Sequence, residues 1–400
     1  MKVLFITSHL PYPPHSGGRL REFKLLEKFK GKCDVFLCVV TKTFDEDIKN
    51  SKYIKPLCTE LKLFKAYASN LDENNYPQQI IRNFCLKAQD YINSMILNKK
   101  IDVIHLEGYY MLSNIQNDIT VPILLVEQNI EYSILKQKLS LLKDALLLKK
   151  HKKEYKLNLK HERGAWRRCN MCVTLTSDDC SVINNYDKNI NCKIIPNGID
   201  HVLEIENKHL HTSCNAKTNL DKYILYVGNF DYYPNVDAAK YLIEYIFPKI
   251  KKIHPKLKLY VVGNNSNIVL DKYKFDDIVI TGKVDNLNAY YKTAELCVFP
   301  LRIGGGIKVK VLEALTLKQF VVTTSIGAQG IPKVENSQMI VSDKASDIIS
   351  SVCNVLTMKK DEKSEREKNN NAILSKFITW DTSANRLIDQ YKKLLKESVK

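Results

Sequence analysis

The sequence predicts an α/β protein built from two doubly wound parallel sheets. Short apolar runs alternate with longer helical patterns along the chain, which is typical of parallel strands covered by helices. Its 400 residues suit two domains of roughly 200 residues each. A polar segment, 201–221, has few large apolar residues and separates two series of strands. We therefore expect one domain over 1–200, a second over 201–375 and a final helix within 376–400.

The first half supplies the strands of one sheet. The apolar runs predict strands at 3–8, 34–40, 102–107, 123–128, 171–177 and 193–200. A Pro-rich loop and a helix over 19–29 follow the first strand, and a long polar and helical stretch follows the second. The Pro-Asn-Gly turn at 196–198 is expected to close this sheet.

The second half repeats the same alternation of strands and helices. Its predicted strands are 223–229, 258–264, 278–284, 296–301 and 320–325. The last helix carries apolar side chains at helical spacing between Trp380 and Leu395.

Cysteine usage and hydropathy favour a cytoplasmic protein. The 11 cysteines form no CxxC pair and no Cys/His spacing typical of zinc sites, so we expect buried thiols in a reducing compartment. The chain starts directly on a strand without a leader pattern, and no apolar run approaches the length that spans a membrane. We expect no metal and no cofactor.

A basic amphipathic stretch lies at 134–168, within a chain of net charge +17. It holds 12 Lys and Arg residues against three acidic ones, interleaved with leucines. One interpretation is a solvated helix face, and another is a face that lies on anionic lipid headgroups. Binding to nucleic acid is the weakest of the three interpretations, because no nucleic-acid-binding module accompanies the basic residues. We expect no nucleic-acid partner.

The segment Pro300 to Leu315, read PLRIGGGIKVKVLEAL, has the residue types that hold a nucleotide diphosphate. The glycines allow close approach of backbone to a phosphate, and the following helix directs its unpaired N–H groups there. Lys308 and Lys310 add cationic donors, and Glu313 can accept hydrogen bonds from a sugar. The alternative is a loop before an amphipathic helix with solvated lysines.

Loops at the carboxyl ends of parallel strands are where ligands bind in such sheets. In the first half these loops contain Gly17 and Gly18, which open a helix, and the strand-end residues His105, Glu107 and Gln128. A simple turn at the glycines and a structural histidine remain the alternatives.

The corresponding loops of the second half contain Gly228 and Asn229, then Lys283 and Val284, and then Arg302. Glycine at these points allows a flat ring or a phosphate to approach the backbone. The loop after the first strand of each domain lacks the GxGxxG fingerprint of dinucleotide binding. A dinucleotide-dependent dehydrogenase is therefore a poorer interpretation.

Taken in order, these motifs resemble those of retaining glycosyltransferases of family 4, which have the GT-B fold. The resemblance runs almost end to end and rests on SGG near the N-terminus, ERGAWRRCNMCVTLTSDD, IIPNGID, LYVGNFDYYPNVDA, VVGN, ITGKVDNL, PLRIGGGIKVKVLEAL, FVVTTSIGAQGI and the closing Trp-Asp pair. It implies two Rossmann-like domains facing a central cleft, with the last helix crossing back to the first domain. It also implies transfer of a sugar from a UDP- or GDP-linked donor with retention and without a metal.

The same resemblance implies roles for individual residues. Glu313 would bind the donor ribose, Lys308 and Lys310 would neutralise the departing pyrophosphate, and backbone at Lys283 and Val284 would flank the base. The other residues expected to bind the donor are Gly17, Gly18, Gly228, Asn229, Arg302, Gly304, Gly305, Gly306 and Ile307. His105, Glu107 and Gln128 would lie on the acceptor side or contact the sugar.

Three departures from the family pattern limit these roles. Gly305 stands eight positions before Glu313, where relatives often have a second glutamate. Phe230-Asp231 replaces the Arg and Lys that commonly follow the first strand of the second domain. Gln128 occupies a position where many relatives have a histidine, and an amide cannot act as a general base.

The expected function is transfer of a sugar to a glycan or lipid-linked acceptor in capsule, lipopolysaccharide or exopolysaccharide synthesis, at the inner face of the membrane or free in the cytoplasm. Glycosylation of a protein or small molecule is a same-fold alternative. A nucleotide-binding scaffold that has lost catalysis is the alternative from another class.

Overall fold

The computed structural model describes residues 1–66, 71–199 and 222–398. It divides the chain into two compact units, which are named unit 1 (Met1–Ile199 with Ile378–Lys400) and unit 2 (Asp200–Phe377). The predicted linker, 201–221, lies outside the described residues.

Unit 1 is built on a parallel sheet whose strands, among the described residues, follow the order β3-β2-β1-β4-β5-β6-β7. The strands are β1 Lys2–Thr7, β2 Asp34–Thr41, β3 Glu60–Lys65, β4 Val103–Glu107, β5 Ile123–Glu127, β6 Met171–Thr174 and β7 Cys192–Ile194. The central strands are apolar along their length because helices bury both faces of the sheet. Leu4 and Ile6 pack on one face, and Val3 and Phe5 pack on the other.

Helices connect these strands. They are α1 Gly17–Phe29, α2 Phe44–Asn50, α3 Gln78–Asn83, α4 Leu86–Lys99, α5 Glu131–Leu141, α6 Ala145–Arg168 and α7 Ser177–Tyr186, with short 3-10 turns at Ser51–Tyr53, Lys55–Leu57 and Tyr109–Asn114. Ser16 caps α1 by accepting the N–H of Arg19 at 3.4 Å, so the helix starts at the glycine pair.

Unit 2 has a second parallel sheet, with the order β10-β9-β8-β11-β12-β13 among the described residues. Its strands are β8 Tyr223–Val227, β9 Lys258–Val262, β10 Ile278–Gly282, β11 Leu296–Phe299, β12 Val321–Thr323 and β13 Met339–Val341. Its helices are α8 Tyr233–Tyr241, α9 Phe247–Ile253, α10 Ser266–Val269, α11 Leu287–Thr293, α12 Val309–Thr316, α13 Ala345–Thr357 and α14 Lys360–Leu374, with a π-helical turn at Leu242–Ile246 and a 3-10 turn at Asp271–Tyr273.

The final helix, α15 (Trp380–Ser398), belongs to unit 1. Leu387 and Tyr391 are fully buried on the sheet face that also carries Phe29 of α1. The Pro-Asn-Gly turn explains how the helix enters this face. A Cβ added to Gly198 would lie 2.3 Å from the backbone nitrogen of Trp380, so only glycine fits there.

The predicted strands form, but two further strands, β3 and β13, were not expected. Both lie at sheet edges, and the residues of β3 are half-buried or exposed rather than forming an apolar run. The run at 193–200 was expected to contain the turn that closes the sheet, and within this region Cys192–Ile194 pairs with the sheet. Beyond it the chain turns toward α15 at Gly198.

Candidate functional site

All strands in each sheet are parallel, so their carboxyl ends meet at one edge. We call the carboxyl ends of the strands in unit 1 the unit 1 edge, and those in unit 2 the unit 2 edge. Most residues predicted to bind a ligand lie at one of these edges or in a loop or helix start that adjoins it, whereas His105 lies in the middle of β4 and Glu313 lies in the second turn of α12.

A glycine-rich loop, 300–308, connects β11 to α12 at the unit 2 edge. Gly306 has φ +62°, which favours glycine. The Lys308 ammonium folds back on the loop and donates to the carbonyls of Gly305 at 2.7 Å and Gly306 at 2.8 Å. Lys308 is also the residue at the N-cap of α12, where its side chain makes no capping bond. The positive end of the helix dipole and a lysine ammonium therefore lie together in this loop.

Lys310 lies in the first turn of α12 and is half-buried. Its ammonium donates to Asn235 Oδ1 at 2.7 Å and to the Tyr226 hydroxyl at 3.1 Å, and it lies 5.2 Å from the centre of the Phe299 ring. Burial and the nearby charge of Lys308 lower the pKa of Lys310 to about 7, although Glu313 opposes the shift. The protein therefore disfavours the charged form of Lys310, which an anionic ligand beside it would favour.

Glu313 lies one turn further along α12. Tyr291 of α11 donates its hydroxyl to Glu313 Oε2 at 3.3 Å. Burial raises the pKa of Glu313, while the Tyr291 hydrogen bond and Lys310 counteract part of the shift. The carboxyl thus forms a hydrogen-bonding group beside the two lysines.

Arg302 is engaged within unit 2. Its guanidinium donates to both carboxylate oxygens of Asp237 on α8, at 3.1 and 2.7 Å, and lies 4.4 Å from the centre of the Tyr241 ring. Bidentate pairing of this kind fixes orientation. Arg302 therefore attaches the start of the glycine-rich loop to α8.

Gly228 and Asn229 follow β8. Asn235 donates its amide to the Asn229 carbonyl at 2.8 Å, and the same amide group accepts from Lys310. A Cβ on Gly263 would lie 1.9 Å from the Gly228 carbonyl oxygen, so the loops after β8 and β9 are in close contact. These bonds hold the loop after β8 against Lys310.

Lys283 and Val284 follow Gly282, the last residue of β10. Gly282 has φ +79° and donates its N–H to the Ser266 hydroxyl at 3.0 Å. Lys283 is exposed and Val284 is half-buried. They lie at the same edge as the glycine-rich loop, at the end of a strand two positions from β8 in the sheet.

At the unit 1 edge, His105 and Glu107 of β4 are buried. His105 Nε2 lies 2.9 Å from Glu107 Oε1, and Nδ1 lies 2.6 Å from the Tyr391 hydroxyl of α15. Because a carboxylate only accepts, Nε2 carries a hydrogen that points at Glu107. His105 also stacks on Phe5, with ring centres 4.1 Å apart.

Gln128 follows β5 and donates to Glu107 Oε2 at 2.9 Å and to Glu22 Oε1 at 3.5 Å. A Cβ on Gly18 would lie 3.1 Å from Gln128 Oε1, which brings the helix-opening glycines against this amide. Burial alone raises the pKa of Glu107, but the hydrogen bond and charge of His105, with help from Arg21 and Gln128, leave it below the ordinary value.

The structure adds charged residues that the sequence analysis did not single out. Glu22 of α1 is buried, accepts the Thr7 hydroxyl at 2.7 Å and lies 3.0 Å from His9 Nε2. Arg21 is also buried and donates to Asn197 Oδ1 at 2.9 Å. The signal that could have found them is an Arg-Glu pair inside a helix whose apolar face must cover a sheet.

A second group of carboxylates lies beneath the unit 1 edge. Glu127, the last residue of β5, accepts the Trp166 indole N–H at 3.0 Å. Glu162 accepts the backbone N–H groups of Glu131 at 2.7 Å and Tyr132 at 2.9 Å, which caps α5. Burial raises the pKa values of Glu127 and Glu162 well above the ordinary value, and the charge of Glu131 adds to both shifts.

The described residues include no group of three or more His, Cys, Asp or Glu side chains that could hold a metal ion. Across the same ranges, no helix combines the length and the apolarity needed to cross a bilayer.

Comparison with solved structures defines the fold. Over 99% of this chain and 100% of the other, the structure is similar to sucrose-phosphate synthase from Thermosynechococcus elongatus, with a TM-score of 0.71 and 14% identity. It is also similar to the trehalose-6-phosphate synthase OtsA, with a TM-score of 0.65 and 11% identity over 98% of this chain and 99% of that one. The chain has the GT-B fold, as the sequence predicts.

Sequence comparisons then point to a family. Residues 221–358 match the family described as glycosyl transferases group 1. A relative from Klebsiella pneumoniae, an uncharacterized 44.6 kDa protein in the cps region, is 25% identical over 369 residues, which cover 86% of this chain and 87% of the relative. Together with the fold, the family match supports a glycosyltransferase of the GT-B type.

Proposed function

We propose that this protein transfers a sugar from a nucleotide-sugar donor to a hydroxyl group of a glycan or lipid-linked acceptor, with retention at the anomeric carbon. The observation that carries the proposal is the grouping of Lys308, Lys310 and the glycine-rich loop at the start of α12. In transfer, the bond from the sugar to the phosphate breaks and the nucleotide diphosphate gains negative charge. Fixed cations and helix N–H groups stabilise that charge more in the transition state than in the ground state.

The donor's diphosphate would bind at the backbone of Gly304 to Ile307, and Lys308 would exchange its two carbonyl partners for phosphate oxygens. Lys310, whose ammonium is held by neutral groups at 2.7 and 3.1 Å, would gain an anionic partner. Glu313 would accept hydrogen bonds from the ribose. Arg302 would act as a positioning residue through Asp237.

The remaining predicted donor contacts are backbone contacts. Gly228 and Asn229 would approach the phosphates, and Lys283 and Val284 would flank the base. Gly17 and Gly18 of unit 1 would face a phosphate or the transferred sugar. Three polar side chains are predicted for the acceptor side. Gln128 is half-buried and would contact the acceptor or the sugar, whereas His105 and Glu107 are buried and would orient Gln128.

The relative's place in a cps region supports a role in building a surface polysaccharide such as a capsule. Lipopolysaccharide or exopolysaccharide assembly uses the same chemistry, with a sugar hydroxyl as acceptor. No cofactor beyond the nucleotide sugar enters this reaction scheme.

A screen of UDP- and GDP-sugars tests the function. A true donor raises the melting temperature by mass action, and transfer or slow hydrolysis releases the nucleotide diphosphate. Glu313→Ala and the double variant Lys308→Ala/Lys310→Ala are expected to lose transfer while remaining folded, and Lys292→Ala, an exposed lysine on α11, serves as the control. Full activity in both site variants would refute the assignment. Binding without turnover for every donor would favour a nucleotide-binding scaffold.

We also propose that the protein docks on an anionic membrane surface through α6. Lys149, Lys152 and Lys156 are exposed and line a shallow groove of about 570 Å³, and Leu146 nearby has 79% of its surface exposed. Cations beside exposed apolar side chains are typical of helices that lie at lipid headgroups, where each near-surface cation contributes about 1 kcal/mol.

Vesicle flotation tests this docking. Binding to vesicles that contain phosphatidylglycerol is expected at low salt and should weaken as salt rises, because the Debye length shortens. Lys149→Glu/Lys156→Glu should abolish flotation, whereas Lys359→Glu/Lys360→Glu, a matched exposed pair in unit 2, should not. A wild-type protein that ignores such vesicles at low salt contradicts the proposal.

A further inference from the structure

Neutral groups hold the ammonium of Lys310 at the unit 2 edge. It donates to Asn235 Oδ1 at 2.7 Å and to the Tyr226 hydroxyl at 3.1 Å, and it lies 4.5 Å from the centre of the Tyr226 ring. An amide oxygen and a phenolic hydroxyl both accept hydrogen bonds without carrying a negative charge. These contacts therefore fix the position of the ammonium and do not cancel its charge.

Asn235 is oriented by contacts at both ends of its side-chain amide. Its Nδ2 group donates to the Asn229 carbonyl at 2.8 Å, which leaves Oδ1 as the end that faces Lys310. The side chain also packs on the loop after β8, since a Cβ on Gly228 would lie 3.0 Å from Asn235 Cγ. Tyr226 donates its hydroxyl hydrogen to the backbone carbonyl of Asn235 at 3.0 Å, so the hydroxyl oxygen remains to accept from Lys310. Asn235 thus positions both acceptors of the ammonium.

The carboxylates on the two helices that meet here have partners of their own. Asp237, on the same helix as Asn235, binds Arg302 through both oxygens at 3.1 and 2.7 Å. Glu313, on the same helix as Lys310, accepts a hydroxyl from α11 at 3.3 Å. Position 235 is therefore a place where an acidic side chain would neutralise Lys310 directly, and the chain has an uncharged amide of nearly the same shape there.

The titratable groups around Lys310 come from several elements. Burial and the charge of Lys308 lower the pKa of Lys310 to about 7, and Glu313 opposes the shift. On β8, burial and the charge of Asp237 raise the pKa of Tyr226 well above its ordinary value, so its hydroxyl stays neutral. The other groups nearby are Tyr291 and Arg302, which pair with Glu313 and Asp237. An anion that binds beside Lys310 would favour its protonated form.

We propose that Asn235 is a positioning residue for donor binding. Its amide oxygen holds the Lys310 ammonium in place without a negative charge, so that the diphosphate of the nucleotide sugar supplies the counter-charge. The inference rests on the proposed function, in which Lys310 binds that diphosphate, and every group that it uses belongs to unit 2. Asn235→Asp would supply the counter-charge permanently and compete with the diphosphate for Lys310.

Calorimetry with UDP and GDP on the full chain tests the inference. Asn235→Asp replaces the amide by a carboxylate of similar shape, and Asn235→Ala removes the amide without adding charge. Asn354→Asp adds the same charge at an exposed site on α13 and serves as the control. The terminal phosphate of the nucleotide also titrates, but it does so with every variant, so its contribution cancels in the comparison.

Asn235→Asp is expected to weaken nucleotide binding at pH 6 by about 10- to 100-fold, because Lys310 would then exchange one anionic partner for another. The difference from wild type should narrow toward pH 9, since the free wild-type protein loses the Lys310 proton over that range. Above pH 7 the wild-type protein should take up a proton on binding, whereas Asn235→Asp, whose Lys310 stays protonated, should take up none. Asn235→Ala should weaken binding by about two- to fivefold and keep the proton uptake.

Three results would overturn the inference. One is equal affinity of Asn235→Asp and Asn354→Asp at pH 6. Another is an equal loss of affinity with equal proton uptake in Asn235→Asp and Asn235→Ala, which would indicate that the amide serves packing alone. The third is wild-type affinity in Asn235→Ala, which decides the matter even if melting curves show that Asn235→Asp does not fold. If the wild-type protein binds neither nucleotide, the proposed function fails instead, so the two failures are distinguishable.

Discussion

The polar edges of the two units differ in the sign of their charge. The unit 2 edge presents Lys308 and Lys310 beside a glycine-rich loop, with Glu313 on the same helix as Lys310. The unit 1 edge contains the carboxylates Glu22 and Glu107, and each faces an imidazole. A cationic edge suits the phosphates of a nucleotide, whereas carboxylates, imidazoles and amides suit the hydroxyl groups of a sugar. The same sheet architecture thus supports two kinds of recognition.

Two buried glutamates on neighbouring strands of unit 1 also differ in their electrostatic environment. Glu107 ends β4 and Glu127 ends β5, and both are buried. Glu107 faces His105 and the positive charge of Arg21, and its pKa is lowered. The pKa of Glu127 is raised by burial and by the charges of Glu131 and Glu107, although the hydrogen bond from Trp166 opposes the shift. Environment therefore shifts the pKa values of these two carboxyl groups in opposite directions. The charge of the unit 1 edge comes from Glu107 and Glu22.

The largest expected effect comes from removing the charge of Lys310. Lys310→Met keeps the length of the side chain between the Tyr226 and Phe299 rings, so the protein should stay folded. Transfer should fall by about 10²- to 10³-fold, as expected for loss of one group that stabilises developing charge. Steady-state kinetics with the donor found in the screen measure this, with Lys292→Met as control. Unchanged transfer would contradict the contrast between the two edges, because Lys310 would then not stabilise the leaving group.

The second prediction concerns pH. Burial and Lys308 lower the pKa of Lys310 to about 7 in the free protein, and a bound diphosphate should raise it. The complex then holds more protons than the free protein, so donor affinity should be level below pH 7 and fall by up to about tenfold per pH unit above it. Calorimetry in buffers of different ionisation enthalpy should detect proton uptake above pH 7. Lys310→Met should remove that uptake.

The free protein should show the opposite dependence. The pKa of Lys310 is lower when folded than when unfolded, so the unfolded chain binds more protons. This contribution makes the fold more stable as pH rises from about 7 toward 10.5, the ordinary lysine pKa. A flat stability profile over this range, or one identical to that of Lys310→Met, would contradict the lowered pKa.

The fold was predictable because its signals are local. Apolar runs buried on both faces mark the central strands, and the glycines at 17 and 18 and at 304–306 mark helix starts. The edge strands β3 and β13 lack that signal because only part of each is buried. The final helix was assigned to the first domain by resemblance, and the physical reason for its entry point, the fit of Gly198 against Trp380, is visible only in three dimensions.

The candidate site likewise has residues that the sequence predicts and partners that it does not. Lys308, Lys310 and Glu313 lie within one short segment, so their spacing alone predicts that they are neighbours. Their partners Tyr226, Asn235 and Tyr291 come from distant helices and strands, and no spacing reveals them. His9 and Glu22 were missed for a related reason, since 13 positions separate them and helix α1 must first fold back on β1.

The third prediction tests the carboxyl group beneath the unit 1 edge. The raised pKa of Glu127 means that the unfolded chain loses this proton at lower pH than the folded one, so stability should decline as pH rises from about 4.5 through neutrality. Glu127→Gln keeps an acceptor for the Trp166 indole and removes the repulsion with Glu162. The gain at pH 8 should be about 1–4 kcal/mol, as when buried charges are replaced by neutral groups.

Tryptophan fluorescence measures this gain selectively, because both tryptophans of the chain, Trp166 and Trp380, belong to unit 1. The melting midpoint should rise by about 2–4 °C for each kcal/mol. Glu46→Gln, at an exposed site on α2, is the control. A lower midpoint for Glu127→Gln than for Glu46→Gln at pH 8 would show that Glu127 is ionised and stabilising, and the contrast with Glu107 would disappear.

The smallest effect is expected from Tyr391→Phe. The hydroxyl hydrogen-bonds with His105 Nδ1 at 2.6 Å in a fully buried setting, so its removal leaves a buried ring nitrogen unpaired and should cost about 1–3 kcal/mol. The ring remains packed against Phe29, so α15 should stay on the sheet. Tryptophan fluorescence again reports unit 1, with the exposed Lys392→Ala as control. Because His105 orients Glu107 and Glu107 accepts from Gln128, transfer should fall only slightly. A large loss of transfer without loss of stability would mean that this hydrogen-bond chain contacts the acceptor directly.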